Sequence, residues 1–190
     1  MGLDTLERVE VRSAGALHGW LDARGGQTAS VWLVTFKKSQ GNAYLSYDDA
    51  VNVLICHGWI DSVPRKLDDA RTMTLIAPRK AGSAWSAINK RRVARMREAG
   101  RMRPAGEAAV NAAKADGSWS FLDDVERLEK PTDLSAALDA EAGAAAGFDA
   151  LPPSARRGIL EWIKTAKKPQ TRAARIAKTA AAAARGERPL

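Results

Sequence analysis

The chain has 190 residues, a formal net charge of +8 and 45% hydrophobic side chains, which suits one core, or one core with a helical appendage, and excludes a disordered polyelectrolyte. Its one cysteine, Cys56, excludes an internal disulfide, and no stretch nears the ~20 consecutive apolar residues of a membrane span. The opening Met1-Gly2-Leu3-Asp4-Thr5-Leu6-Glu7 is acidic where a secretory signal is basic and then apolar, so a cytoplasmic protein is expected.

Residues 13–23 read as a helix, with Ser13 as its N-cap and Leu17, Trp20 and Leu21 on one face. Gly25-Gly26 stops it. Val31-Trp32-Leu33-Val34-Thr35-Phe36 is rich in β-branched and aromatic residues and predicts a strand. Ser46-Tyr47-Asp48-Asp49 opens a second helix, its two carboxylates lying where the helix dipole favours them. Val51, Leu54 and Ile55 form the buried stripe of that helix, and Gly58 ends it. Residues 59–65 and 71–77 predict a hairpin, and Pro78 closes it. A helix is expected from Ala84 to Ala99, capped by Ser83, with Trp85, Ile88, Val93 and Met96 facing inward. Pro104 suits the first turn of the next helix, which Gly117 ends.

From Ser120 to Ala150 the chain is acidic and rich in alanine, with Leu134, Leu138 and Phe148 as its few anchors. Two further helices form a hairpin beyond it. Pro153 begins one, with Ile159, Trp162, Ile163 and Ala166 as its stripe. Pro169 begins the other, with Ala173, Ile176, Ala177 and Ala180 facing inward and Arg172, Arg175 and Lys178 facing out. Residues 180–184 have little to bury and are expected to fray.

Charge is unevenly placed. Residues 1–78 sum to −1, 79–115 to +8, 116–149 to −7 and 153–190 to +8. The acidic block can neutralise its basic neighbours by folding back on them. Otherwise the basic stretches suit an anionic partner, nucleic acid or a membrane surface.

Several runs resemble the bacteriocin-protection family, also called YdeI/OmpD-associated proteins. They are Val31-Trp32-Leu33 with Lys37-Lys38, Ser46-Tyr47-Asp48-Asp49-Ala50, Gly58-Trp59-Ile60-Asp61 and Arg65-Lys66-Leu67-Asp68-Asp69. Trp85-Ser86, Gly100 to Gly106, Ala166-Lys167-Lys168-Pro169 and Arg175-Ile176 continue the set. The resemblance implies an α+β fold, a small antiparallel sheet flanked by helices and followed by a C-terminal helical hairpin. With the composition shifts it places an α+β domain at 1–117, an acidic Ala-rich connecting segment at 118–150 and the hairpin at 151–190. It also implies a non-catalytic stress-tolerance role, exercised by binding a protein or small-molecule partner, and it carries no catalytic residues.

Trp59 and Asp61 are the candidate wall and polar group of a ligand pocket, with Cys56 and Trp32 beside them. Arg79, Lys80, Lys90, Arg91, Arg95, Arg172 and Arg175 are the candidate anion-binding residues, and the basic 79–103 helix with the C-terminal hairpin makes nucleic-acid binding the alternative function. An enzyme centred on Cys56, His57 and Asp61 needs a bend, because neighbouring helical side chains point about 100° apart. One Cys and two His make no closed zinc site, so neither metal nor cofactor is expected. The terminal hairpin is a candidate homodimer surface.

Overall fold

The computed structural model describes residues 2–24 and 26–189; Gly25, half of the expected helix stop, lies outside them. Contacts divide the chain into two compact units, 1–120 and 121–190.

The first unit is built on a four-stranded sheet in the order β1-β2-β4-β3. The strands are β1 (Arg8–Glu10), β2 (Val31–Phe36), β3 (Trp59–Lys66) and β4 (Arg71–Pro78). β3, β4 and β2 pair antiparallel as expected. β1 pairs parallel with β2, which makes the sheet mixed. That three-residue edge strand has no alternation long enough to announce it.

Four helices join this sheet: α1 (Ala14–Asp22), α2 (Tyr47–Cys56), α3 (Ala87–Glu98) and α4 (Pro104–Ala115). The Ser13 hydroxyl accepts from the Ala16 amide and that of Ser46 from the Asp49 amide, both at 3.1 Å, so both expected caps form. α3 begins three residues later than expected. Ser86, not Ser83, caps it through the Asn89 amide, which leaves Trp85 in the preceding loop, fully buried. Val93 and Met96 are buried as expected, whereas Ile88 is 49% exposed and Arg92 is buried.

Alternate residues of a strand face opposite sides. Val31, Leu33 and Ile76 therefore meet Leu17, Leu21, Leu54 and Trp59 in the main core, while Trp32, Val34 and Met73 form a smaller cluster on the other face. α4 crosses the end of α2 very closely. A Cβ on Gly106 would lie 2.2 Å from the Cys56 carbonyl oxygen, so only glycine fits there. Gly58, at φ +73°, turns the chain from α2 into β3 in the left-handed region that favours glycine.

The second unit holds α5 (Asp123–Glu126), α6 (Thr132–Asp139), α7 (Ala144–Asp149), α8 (Pro153–Lys164) and α9 (Pro169–Ala184). The stretch expected as a connecting segment thus supplies three short helices. Their anchors Leu134, Leu138 and Phe148 are buried, and α6 and α7 pack on α9. This packing corrects two details of the hairpin. Ala180, Ala182 and Ala183 are buried rather than frayed, because a Cβ on Gly147 of α7 would sit 2.0 Å from the Ala183 carbonyl oxygen. Ala173 and Ala177 face outward, and Ile176, Thr179 and Ala180 face in.

Candidate functional site

The register of β2 with β4 places Leu33 beside Thr74 and Thr35 beside Thr72. Together with Ile76 these residues floor a cleft of about 320 Å³ between the sheet and α2. Ala50, Val51 and Leu54 of α2 form one wall, and the 3₁₀ turn Lys38–Ala43 with Tyr44 and Leu45 forms another. Leu33, Ile76 and the α2 wall give it apolar surface, and the threonines, tyrosines, Asp61 and two lysines give it polar groups, a mixture that suits a small-molecule site.

Those polar groups are specific. The Tyr47 hydroxyl donates to Asp61 Oδ2 at 2.5 Å, and burial first, then Asp61, pushes the Tyr47 phenol up to about 12. The Thr35 and Thr72 hydroxyls are 3.3 Å apart and hydrogen-bonded. Lys37 donates its ammonium to the carbonyls of Asp68 and Asp69, while Lys38 is exposed at the rim.

The four residues expected to make a pocket are not brought together. Asp61 lines this cleft. Trp59 is buried in the core, edge-on to Trp20 at 5.7 Å between ring centroids, and borders a different cleft beside His57 and Arg79. Trp32 lies under the opposite face of the sheet, its indole donating to the Leu3 carbonyl at 2.7 Å. Cys56 is 0% exposed, and burial raises its thiol pKa, the reverse of an activated nucleophile. His57 turns to other partners: Nε2 lies 2.8 Å from His18 Nδ1, and Nδ1 lies 3.7 Å from Asp22. Burial is the first cause lowering both imidazole pKa values. Cys56, His57 and Asp61 therefore do not form one centre.

Tyr44, Tyr47, Thr35, Thr72 and Thr74 had drawn no attention as site residues. A strand whose inward face changes from Val31 and Leu33 to Thr35 was their available signal, since an inward polar position marks where the core stops.

The candidate anion-binding residues are also scattered. Arg79 is largely buried, its guanidinium carbon 3.6 Å above the Trp85 ring, and burial lowers its pKa to about 10. Lys80 and Arg91 are exposed. Lys90 lies 5.4 Å from the Trp119 ring centroid. Arg95 donates to Asp48 and Asn52, beside an Arg92–Asp48 pair. In the second unit Arg172 grips Asp133 through two nitrogens, and Arg175 donates to the Trp162 carbonyl and stacks on that ring.

Arg97 of α3 pairs with Glu107. The acids Asp124, Glu126, Asp133 and Asp149 pair with Lys164, Arg157, Arg172 and Lys130 of their own unit. Among the described residues no cluster of three or more His, Cys, Asp or Glu is arranged to hold a metal ion, and no helix is long and apolar enough to cross a membrane.

The protein is thus an α+β domain with a ligand-sized cleft, joined to an all-helical unit. Residues 9–109 match the model of a family described as a domain of unknown function (DUF8412), and the chain belongs to it. Residues 127–186 match the family model described as bacteriocin-protection, YdeI or OmpD-associated, which bears out the resemblance in the C-terminal unit. The motifs from Val31 to Gly106 fall under the first model instead. No curated protein and no solved structure gives a significant match.

Proposed function

We propose that this is a non-catalytic binding protein that takes a ligand into the cleft between α2 and the sheet and thereby contributes to tolerance of a bacteriocin or similar antimicrobial peptide. What supports the binding role above all is the cleft itself: about 320 Å³, with apolar surface from Leu33, Val51, Leu54 and Ile76 and the Tyr47–Asp61 pair as a fixed polar feature. What supports the tolerance role is the family match over residues 127–186. The Thr74→Phe substitution fills the cleft and keeps a good strand former on β4. The wild-type chain is expected to bind an environment-sensitive apolar dye and to raise survival of bacteriocin-treated cells. Thr74→Phe, with an unchanged circular dichroism spectrum, is expected to lose both. Equal dye binding by the two proteins would refute the cleft as the site.

Nucleic-acid binding is the second reading, favoured by exposed Lys80 and Arg91 in the +8 stretch 79–115. Its measure is affinity for a DNA duplex falling steeply with salt, at a slope set by the phosphates contacted. The pairing of Arg92, Arg95 and Arg97 with acids of the same unit argues for a shallow slope.

A further inference from the structure

Acids in the first unit are mostly spoken for. Asp4, Glu7, Glu10, Asp48, Asp68, Asp69 and Glu107 each meet an arginine or lysine within 3.2 Å. Asp116, in a smaller cavity, is satisfied by the Gly82 and Ser118 amides. Among the described residues Asp49, Glu98 and Asp61 have no cation within 4.0 Å, and of these Asp61 is the one that lines the cleft, its one side-chain hydrogen bond leaving Oδ1 without a donor. Arg79 acts on it only from a distance and is committed to the Trp85 ring. A carboxylate without a counter-ion, half-buried at the edge of a cleft, is open to pairing with an arriving cation.

The surroundings select the kind of cation. Tyr47, 60% exposed, stands beside the carboxylate it donates to, while Tyr44, 42% exposed, lies at the other end of the cleft, where it bridges to Phe36; an electron-rich ring next to a carboxylate attracts ammonium groups. From the rung of Asp61 with Ile76 to that of Thr72, β4 runs four residues, roughly 13 Å at the usual strand rise. Leu33, Val51 and Leu54 cover that distance with apolar surface. A metal ion is poorly served, since one carboxylate and neutral hydroxyls offer too few strong oxygen ligands. An anion at the same end would meet Asp61 head-on; of the two lysines at the other end of the cleft, Lys37 is engaged by two carbonyls and Lys38 is exposed at the rim.

We propose that the cleft recognises an aliphatic primary amine, its ammonium against Asp61 and its methylene chain along Leu33, Thr74 and Leu54. This rests on the cleft being the ligand site. The same chemistry is offered by a free alkylamine and by a lysine side chain of a peptide.

The test is calorimetric titration of the full chain with n-hexylamine, n-hexanol, n-hexanoate and a doubly blocked lysine, Nα-acetyl-lysine N-methylamide. Hexylamine is expected to bind at least tenfold more tightly than hexanol, and hexanoate not at all. Asp61→Asn is expected to bring hexylamine down to the level of hexanol and leave hexanol unchanged, while Thr74→Phe abolishes both. Tighter binding of the blocked lysine than of hexylamine assigns a peptide as the source, and the reverse assigns a free amine. Hexylamine binding no more tightly than hexanol, or unaffected by Asp61→Asn, overturns the amine and leaves the cleft standing. Failure of all four compounds together with the apolar dye overturns the cleft itself.

Discussion

His18 and His57 show how two ordinary residues acquire unusual chemistry from position. With Nδ1 and Nε2 2.8 Å apart, one nitrogen donates and the other accepts, so the pair cannot hold both rings doubly protonated. Burial lowers both pKa values from 6.5, helped by Arg103 and opposed by Asp22. A group whose folded pKa is depressed keeps its full stability above the unfolded value and loses it as pH falls through the folded one. Unfolding midpoints in urea are therefore expected to hold above about pH 6.5 and to decline as the pH falls below it. The lowered carboxylates, Glu10 and Asp48 among them, contribute their own loss only at more acidic pH. His18→Gln is expected to flatten the decline and to raise the NMR-measured pKa of His57. A second expectation belongs to Cys56: the buried, high-pKa thiol should alkylate in the native protein far more slowly than in the unfolded chain, at a rate limited by opening of the fold.

At the scale of elements, two glycines decide how helices cross. Gly106 lets α4 meet the end of α2, and Gly147 lets α7 meet α9. Each faces a backbone carbonyl oxygen, which cannot swing aside as a side chain can. Alanine at either site is expected to destabilise its unit by about 3 kcal/mol or more, the upper range for overpacking, as a shift of the denaturant midpoint. Ser46→Ala removes only a cap and is expected to cost about 1 kcal/mol. The contrast separates close packing from local capping. A loss at Gly106 no larger than that at Ser46 would show that α4 can draw back from α2.

For the whole molecule, the second unit carries ion pairs of its own. Exposed pairs are individually worth little, about 0–1 kcal/mol, yet Asp124, Glu126, Asp133 and Asp149 each have a partner within 121–190. With a buried set of its own, from Leu134 to Ala183, a fragment covering 121–190 is expected to fold alone. A cooperative thermal loss of its helical circular dichroism would check that, and a featureless coil spectrum would contradict it. The caps at Ser13 and Ser46, the strand at 31–36, the hairpin 59–78 and the buried stripes of α2 and α8 were legible along the chain, because capping and periodicity are encoded by residues three or four apart. The start of α3 was misplaced because Ser83 and Ser86 offer the same local chemistry, and burial of Trp85 in the loop before the helix decides between them. The Tyr47–Asp61 bond, the His18–His57 pair and the parallel β1 join residues 14 to 39 positions apart, and the cleft joins residues from Leu33 to Ile76. Local sequence determined which segments become helix or strand. Only the tertiary structure determined which face of the sheet Trp32 and Asp61 occupy, because strand register and helix crossing are set by long-range packing.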